Sequence, residues 1–300
     1  FSNGGATYYA GKAIGNESEI AGIAGAVSGA KHVHMMAELY DVDVILHTDH
    51  AARKLLPWID GLLNAGEKHF AETGRPLYTS HMIDLSEEPI KDNVDTCVEY
   101  HKRMSAIDMI LEIELGVTGG EEDGVDNTGI DSSKLYTQPD EVAYAYELLN
   151  AISPNFTIAA AFGNVHGVYK PGNVQLRPEI LKSSQELVAR THGTSANPLD
   201  LVFHGGSGSE KAKIEEAIGY GVIKMNIDTD TQFAFATAVG AYVEKTPRAF
   251  SYQIDPDDDK PYKSVYDPRK WLRQGELSMV ERLNEACADL RSGGKSLAKS

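Results

Sequence analysis

Val42-Asp43-Val44-Ile45-Leu46-His47-Thr48-Asp49-His50 is a largely apolar run that ends in two imidazoles and a carboxylate. Valine, isoleucine and leucine in nearly unbroken succession suit a strand covered on both faces, as in a parallel sheet. The polar residues then fall where the strand meets its loop, the position at which α/β folds keep their chemistry. Five more strand-like runs follow, at 77–83, 109–115, 157–162, 201–204 and 222–227, with helical patterns between them at 54–73, 89–104, 140–152, 178–190 and 209–218. Another helical pattern, 20–40, precedes the first run, and Phe1-Ser2-Asn3-Gly4-Gly5 reads as the tail of a strand entering a glycine loop. Strand and helix alternating this often predict a mainly parallel sheet. The expected fold is α/β, a (β/α)8 TIM barrel in which the chain from Phe1 lacks the first strand–helix unit and most of the second strand. An open doubly wound sheet is the alternative, but it gathers ligands at one switch point. Here polar residues end nearly every strand.

The chain has 300 residues, of which 42% are hydrophobic and 24% charged, as expected of a globular protein with a sizeable core. We expect one domain over 1–300 with a C-terminal helical extension. A net charge of −16 argues against nucleic acid as a partner. No apolar stretch approaches the roughly 20 residues that span a bilayer. Two cysteines, Cys97 and Cys287, support neither a disulfide framework nor a cysteine–zinc cluster, so a cytoplasmic setting is expected. The segment 116–139 is a polar connection too long for an ordinary loop, and 255–266 is a charged excursion between C-terminal helices.

Four strand ends supply metal-type ligands: His50, Glu114, His166 and His204. Three imidazoles and a carboxylate suit zinc or a neighbouring divalent ion. Any one of these histidines, taken alone, would ordinarily be just hydrogen-bonded in place. Glu112 and Glu114 share a strand face because side chains alternate, and two inward carboxylates call for a cation. Asp49 adjoins a ligand and is the candidate proton donor. His47 reads as either supporting or structural. His204-Gly205-Gly206-Ser207-Gly208-Ser209 precedes a helix, a setting in which bare backbone N–H groups attract phosphate. Arg269, in Asp267-Pro268-Arg269-Lys270, reads equally as a second phosphate ligand or a solvated helix start. In Thr118-Gly119-Gly120-Glu121-Glu122-Asp123-Gly124, an exposed acidic turn and a mobile general base both fit.

These motifs together resemble the class II, metal-dependent fructose-bisphosphate aldolases. The likeness runs through His-Thr-Asp-His, Lys54-Leu55-Leu56-Pro57-Trp58, Ser80-His81-Met82-Ile83-Asp84 and Gly163-Asn164-Val165-His166-Gly167. It continues in the His-Gly-Gly-Ser-Gly-Ser loop and Lys224-Met225-Asn226-Ile227-Asp228-Thr229-Asp230. The resemblance implies His50, His166 and His204 as zinc ligands, with Asp84 and Glu114 at a second or alternative divalent position. That differs from the spacing argument, which grouped Glu114 with the histidines and passed over Asp84. Asp49 and Glu122 are then the catalytic pair. Asp49 would serve the C4 hydroxyl, and Glu122 would remove a proton from dihydroxyacetone phosphate. Ser2, Gly167, Gly205, Gly206, Ser207, Asn226, Ile227, Asp228 and Thr229 would contact a sugar bisphosphate, and Arg269 its far phosphate. A monovalent cation (K+ or Na+) beside Gly167 and Gly205, a zinc-stabilised enediolate and a homodimer are implied as well. The rival readings are a metallohydrolase on the same barrel and a non-catalytic binding barrel. Phosphate-type loops oppose the first, and an intact set of polar strand ends opposes the second.

Overall fold

The six expected strands pair into one sheet in the computed structural model, which describes residues 1–122, 125–126, 135–166 and 175–295. The chain begins with α1 (Asn3–Ala10) and α2 (Ile20–Tyr40), followed by β1 (His47–Thr48), α3 (Leu56–Thr73), β2 (Ser80–Ile83), α4 (Ile90–Ser105) and β3 (Ile110–Leu115). Two short strands come next, β4 (Gly119–Glu122) and β5 (Val125–Asp126), then α5 (Pro139–Asn150), β6 (Phe156–Ala160) and β7 (Val165–His166). After these lie α6 (Glu179–His192), β8 (Leu201–Phe203), α7 (Lys211–Gly219), β9 (Val222–Met225), α8 (Thr229–Lys245), α9 (Lys263–Tyr266) and α10 (Pro268–Asp289). The main sheet runs β1-β2-β3-β6-β8-β9, each strand parallel to the next. Neighbours in the chain are therefore neighbours in space, and every strand delivers its carboxyl end to the same rim.

In β3, alternation separates two jobs. Leu111, Ile113 and Leu115 are buried in the apolar core, which also takes Trp58, Ile59, Leu62 and Leu63 from α3. Glu112 and Glu114 face the other way, as the period of two requires. Both are buried. A contrasting device joins α1 to α2. Gly22, Gly25, Ala26, Gly29 and Ala30 recur at helical spacing on the buried face of α2. A Cβ on Gly25 would lie 1.8 Å from the Ala6 carbonyl oxygen, so only glycine admits the contact.

Two local expectations need correction. The apolar run 42–48 forms a ladder only at His47 and Thr48, and Ile45 is 73% exposed, with Val42 and Val44 about half exposed. β1 stands at the edge of the sheet, where Leu46 still accepts from Thr79 and Ser80 N–H but earlier residues have no ladder to join. Burial on both faces needs a neighbour on each side. The second correction concerns Gly4 and Gly5, which lie in α1 rather than a loop. Ser2 caps that helix by accepting from the Gly5 N–H at 3.2 Å, a start signal that outweighs the glycine pair. Phe1 lies in no strand, but its backbone nitrogen donates to the His47 carbonyl (2.6 Å) and its carbonyl accepts from Asp49 N–H (2.9 Å).

The connection at 116–139 carries two short strands among its described residues. Gly119 and Gly120 of β4 pair in parallel with Val165 and His166 of β7, and β5 pairs antiparallel with β4. Residues 255–266 run between α8 and α10 and are largely exposed, as expected. Among the described residues, no helix is long and apolar enough to cross a membrane.

Candidate metal centre and active site

Five strand ends deliver the polar cluster. Asp49 and His50 follow β1 directly, Asp84 follows β2, Glu112 and Glu114 lie on β3, His204 follows β8 and Asn226 follows β9. His50 has φ +36°, a left-handed conformation that costs a non-glycine residue about 1–3 kcal/mol and is retained where surrounding contacts over-determine it. Its Nδ1 lies 3.0 Å from Asp84 Oδ2 and 3.5 Å from Glu114 Oε2, while its Nε2 lies 3.1 Å from His204 Nδ1. Asn226 Nδ2 stands 3.2 Å from both Asp49 Oδ1 and His204 Nδ1. His47 Nε2 approaches Asp49 Oδ1 at 3.5 Å, and His47 Nδ1 meets Ser80 Oγ at 2.7 Å.

The carboxylates are driven apart in acidity. Burial raises Glu114, the Asp84 charge adds to this, and the group stands well above the usual glutamate range. Burial also works against ionisation of Asp84, but the His50 hydrogen bond and charge, with help from Ser86, hold it at about 2. Asp49 is likewise opposed by burial; His47, His204 and His50 outweigh that and keep it well below the ordinary range. Burial pushes His204 down, whereas at His50 the Asp84 hydrogen bond and the Glu114 and Asp49 charges overcome burial and raise it. Neighbouring carboxyl groups with opposed shifts are what acid–base chemistry requires.

The donor set fits a divalent ion on two observations. Glu114 Oε2 is buried and takes no hydrogen bond, although its partner Oε1 accepts from Thr118 Oγ1 at 2.8 Å. The second concerns the ring protons, assigned from their partners. His50 Nδ1 faces a carboxylate and so carries its proton there, and His204 Nε2 does the same toward Glu112 Oε1 at 2.8 Å. Without a proton on either, the remaining nitrogens, His50 Nε2 and His204 Nδ1, would set lone pairs against each other across 3.1 Å. Either a proton or a metal between them relieves that repulsion, and two nitrogens on one tetrahedral zinc stand about 3.3 Å apart for Zn–N of about 2.0–2.1 Å. Asp49, His50 and His204 form one potential ligand triad, and His50, Asp84 and Glu114 form another.

The glycine loop is built against this cluster. Gly206 N–H donates to the Asn226 carbonyl (2.9 Å), and Ser207 Oγ accepts from Asp230 N–H (3.2 Å). Ile227 and Asp228 lead into α8, which opens at Thr229. The Ile227 carbonyl accepts from Thr231 Oγ1, and Asp228 Oδ2 from Gln232 Nε2. Gly205 has φ +61°, and a Cβ there would fall 2.4 Å from the Val165 carbonyl oxygen. Gly205→Ala is therefore expected to cost at least about 1–2 kcal/mol from backbone handedness alone, read as a lowered Tm. Ser2 comes beside β1 through the Phe1 pairing. Arg269 is not brought to the cluster: it is 89% exposed and forms a two-pronged contact with Asp267. Gly167 lies outside the described residues, as do the side chains of Glu122 and His166. The β4–β7 pairing nevertheless joins the backbones that carry those two residues.

Sequence reasoning missed two partners. Lys224, on β9, donates to Glu112 Oε1 (3.0 Å) and Oε2 (2.8 Å), so the cation that answers Glu112 is an ammonium. Asn164 Nδ2 bridges Thr118 Oγ1 (3.2 Å) and the His204 carbonyl (3.0 Å), tying together the ends of three strands. Alternation along β9 could have placed Lys224 inward. Nothing in the sequence marks Asn164 beyond its neighbour His166.

A parallel α/β sheet with imidazoles, carboxylates and a glycine-rich loop on its carboxyl rim gathers the donor types of a metal-dependent active site. A family profile described as fructose-bisphosphate aldolase class-II matches residues 1–295. The chain is 61% identical over 292 residues to a fructose-bisphosphate aldolase of Edwardsiella ictaluri, and 58% identical over 295 residues to the class 2 enzyme of Escherichia coli K12. Each alignment covers 97% of this chain and 82% of the relative. The crystal structure of a fructose-bisphosphate aldolase from Campylobacter jejuni superposes with a TM-score of 0.86 at 56% identity, again over 97% of this chain and 82% of that one. The chain belongs to the class II fructose-bisphosphate aldolase family, a family of metal-dependent lyases.

Proposed function

We propose that this chain catalyses the reversible cleavage of fructose 1,6-bisphosphate to dihydroxyacetone phosphate and glyceraldehyde 3-phosphate, the glycolytic reaction of its family. The observation that carries the metal-centred form of this reading is the facing pair His50 Nε2 and His204 Nδ1, with Glu114 Oε2 unbonded nearby. His50, His166 and His204 would hold Zn2+, while Asp84 and Glu114 would offer a second divalent position. When bound, zinc supplies Lewis acidity at the ketone oxygen as the carbon–carbon bond breaks.

The remaining work belongs to side chains and backbone. Asp49, anchored by Asn226 and flanked by His47, exchanges a proton with the C4 hydroxyl. Glu122 moves the proton at the carbon of dihydroxyacetone phosphate. Backbone N–H groups at Gly167, Gly205 and Ser207, with Gly206, Asn226, Ile227, Asp228 and Thr229 around them, orient one phosphate, and Ser2 and Arg269 serve the rest of the substrate. For Arg269 this requires release from Asp267. K+ or Na+ would sit beside the Gly167 and Gly205 backbone. Six strands in consecutive parallel order suit a (β/α)8 barrel, and we take the working form to be a cytoplasmic homodimer.

The test is aldol cleavage by the purified protein before and after chelation. Activity should vanish with the metal and return on adding Zn2+. Chelator-insensitive cleavage would overturn the metal mechanism. A fully loaded protein with no cleavage would favour a binding role instead.

A further inference from the structure

Glu112 and Glu114 sit two residues apart on one face of β3, yet their surroundings differ in kind. Both oxygens of Glu112 are occupied. Oε1 accepts from Lys224 Nζ and His204 Nε2, and Oε2 accepts from Lys224 Nζ and, at 3.4 Å, from Thr157 Oγ1. A lysine ammonium within 3.0 Å of each oxygen repels a second cation, so Glu112 is no metal ligand. Glu114 Oε2 has no such donor.

The proton inventory extends further. Lys224 can only donate, and its Nζ also lies 3.1 Å from His47 Nε2, whose Nδ1 meets Ser80 Oγ. Lys224 thus sets its ammonium astride both oxygens of Glu112. Glu112 is left as a pure acceptor, and the hydrogen it accepts from His204 can only be that on Nε2.

We infer that Lys224 and Glu112 are positioning residues that lock His204 with its proton on Nε2, leaving Nδ1 as the nitrogen that donates a lone pair to the metal. The inference rests on the proposed role of His204 as a ligand. Its physical content is a carboxylate–histidine–metal arrangement in which the carboxylate is itself pinned by a lysine from the last strand of the sheet. Losing an outer partner of this kind typically weakens metal binding about 10–100-fold.

The principal test uses the double variant Glu112→Leu/Lys224→Met, which removes the ion pair jointly and replaces it with apolar groups of similar size. Such exchanges are often neutral for folding. Zn2+ affinity is measured by chelator competition on wild type and variant, alongside the Tm of both metal-free proteins. The expected result is a 10–100-fold weaker Zn2+ affinity in a variant that still folds cooperatively, its metal-free Tm lowered by the ring nitrogens left unpaired on His204 and His47. Affinity within about twofold of wild type would overturn the inference. A second measurement needs no variant: the long-range 1H–15N spectrum of metal-free wild type should show His204 protonated on Nε2. A His204 proton on Nδ1 would overturn the inference even if the variant fails to fold. Wild type that binds no divalent ion would instead sink the metal reading, leaving the tautomer measurement to judge the relay itself.

Discussion

His204→Ala is expected to lower aldol cleavage by about 10³-fold or more and to abolish tight divalent binding. His204 is 1% exposed, and its Nδ1 faces His50 Nε2 at 3.1 Å, so the substitution removes one of two converging nitrogen donors from the centre of the cluster. A Lewis acid at a developing oxyanion is worth several kcal/mol, and each tenfold in rate is about 1.4 kcal/mol, which sets the size of the loss. Glu112 would lose the donor on Oε1 but keep Lys224, so its charge stays answered and the fold should persist. Metal content per chain and kcat are the two readouts. Both must fall together. A variant within tenfold of wild type, or one that keeps a full complement of metal, would remove His204 from the ligand set.

Sequence reached the outline of this site because strand periodicity is strict. In a parallel α/β chain the residue after an apolar run stands on the carboxyl rim, which is why Asp49, His50 and His204 could be grouped before any contact was known. The same rule covers Asp84, which follows Ile83 at the end of β2, but attention to histidine passed over it. What the sequence could not express is which of two equivalent carboxylates is satisfied. Glu112 and Glu114 share a strand, a face and a burial class, and they differ through Lys224, which lies far along the chain. Edge effects were equally invisible. Val42, Val44 and Ile45 read as interior strand from composition, yet their exposure depends on where β1 falls in the sheet order. At the start of the chain, Gly4 and Gly5 suggested a turn, whereas one hydroxyl on Ser2 decides for a helix. For Glu112, Glu114 and the 42–45 run the missing information was a tertiary neighbour, whereas at Ser2 it was a local cap.

Asp49→Asn is expected to cut cleavage by about 10²–10⁴-fold, the usual contribution of a positioned acid–base group, while leaving metal content unchanged. The substitution is isosteric, and the carboxylate it replaces is held by Asn226 Nδ2 at 3.2 and 3.3 Å and approached by His47 Nε2 at 3.5 Å. An amide in that place can still occupy the hydrogen-bonding positions but cannot exchange a proton with the C4 hydroxyl. The histidines beside Asp49 hold its carboxyl well below the usual range, so near neutral pH the group is ionised and ready to accept. Two half-reactions separate this role from simple support of His50. On the proposed roles, cleavage needs proton transfer at the C4 oxygen, whereas exchange of the carbon-bound proton of dihydroxyacetone phosphate with solvent needs only the other proposed base, Glu122. Deuterium exchange into dihydroxyacetone phosphate should therefore persist in Asp49→Asn when cleavage is nearly gone. If both reactions fell in proportion, with metal retained, Asp49 would be holding the site in shape rather than moving the proton. If metal were lost as well, its place would be among the ligands, with His50 and His204.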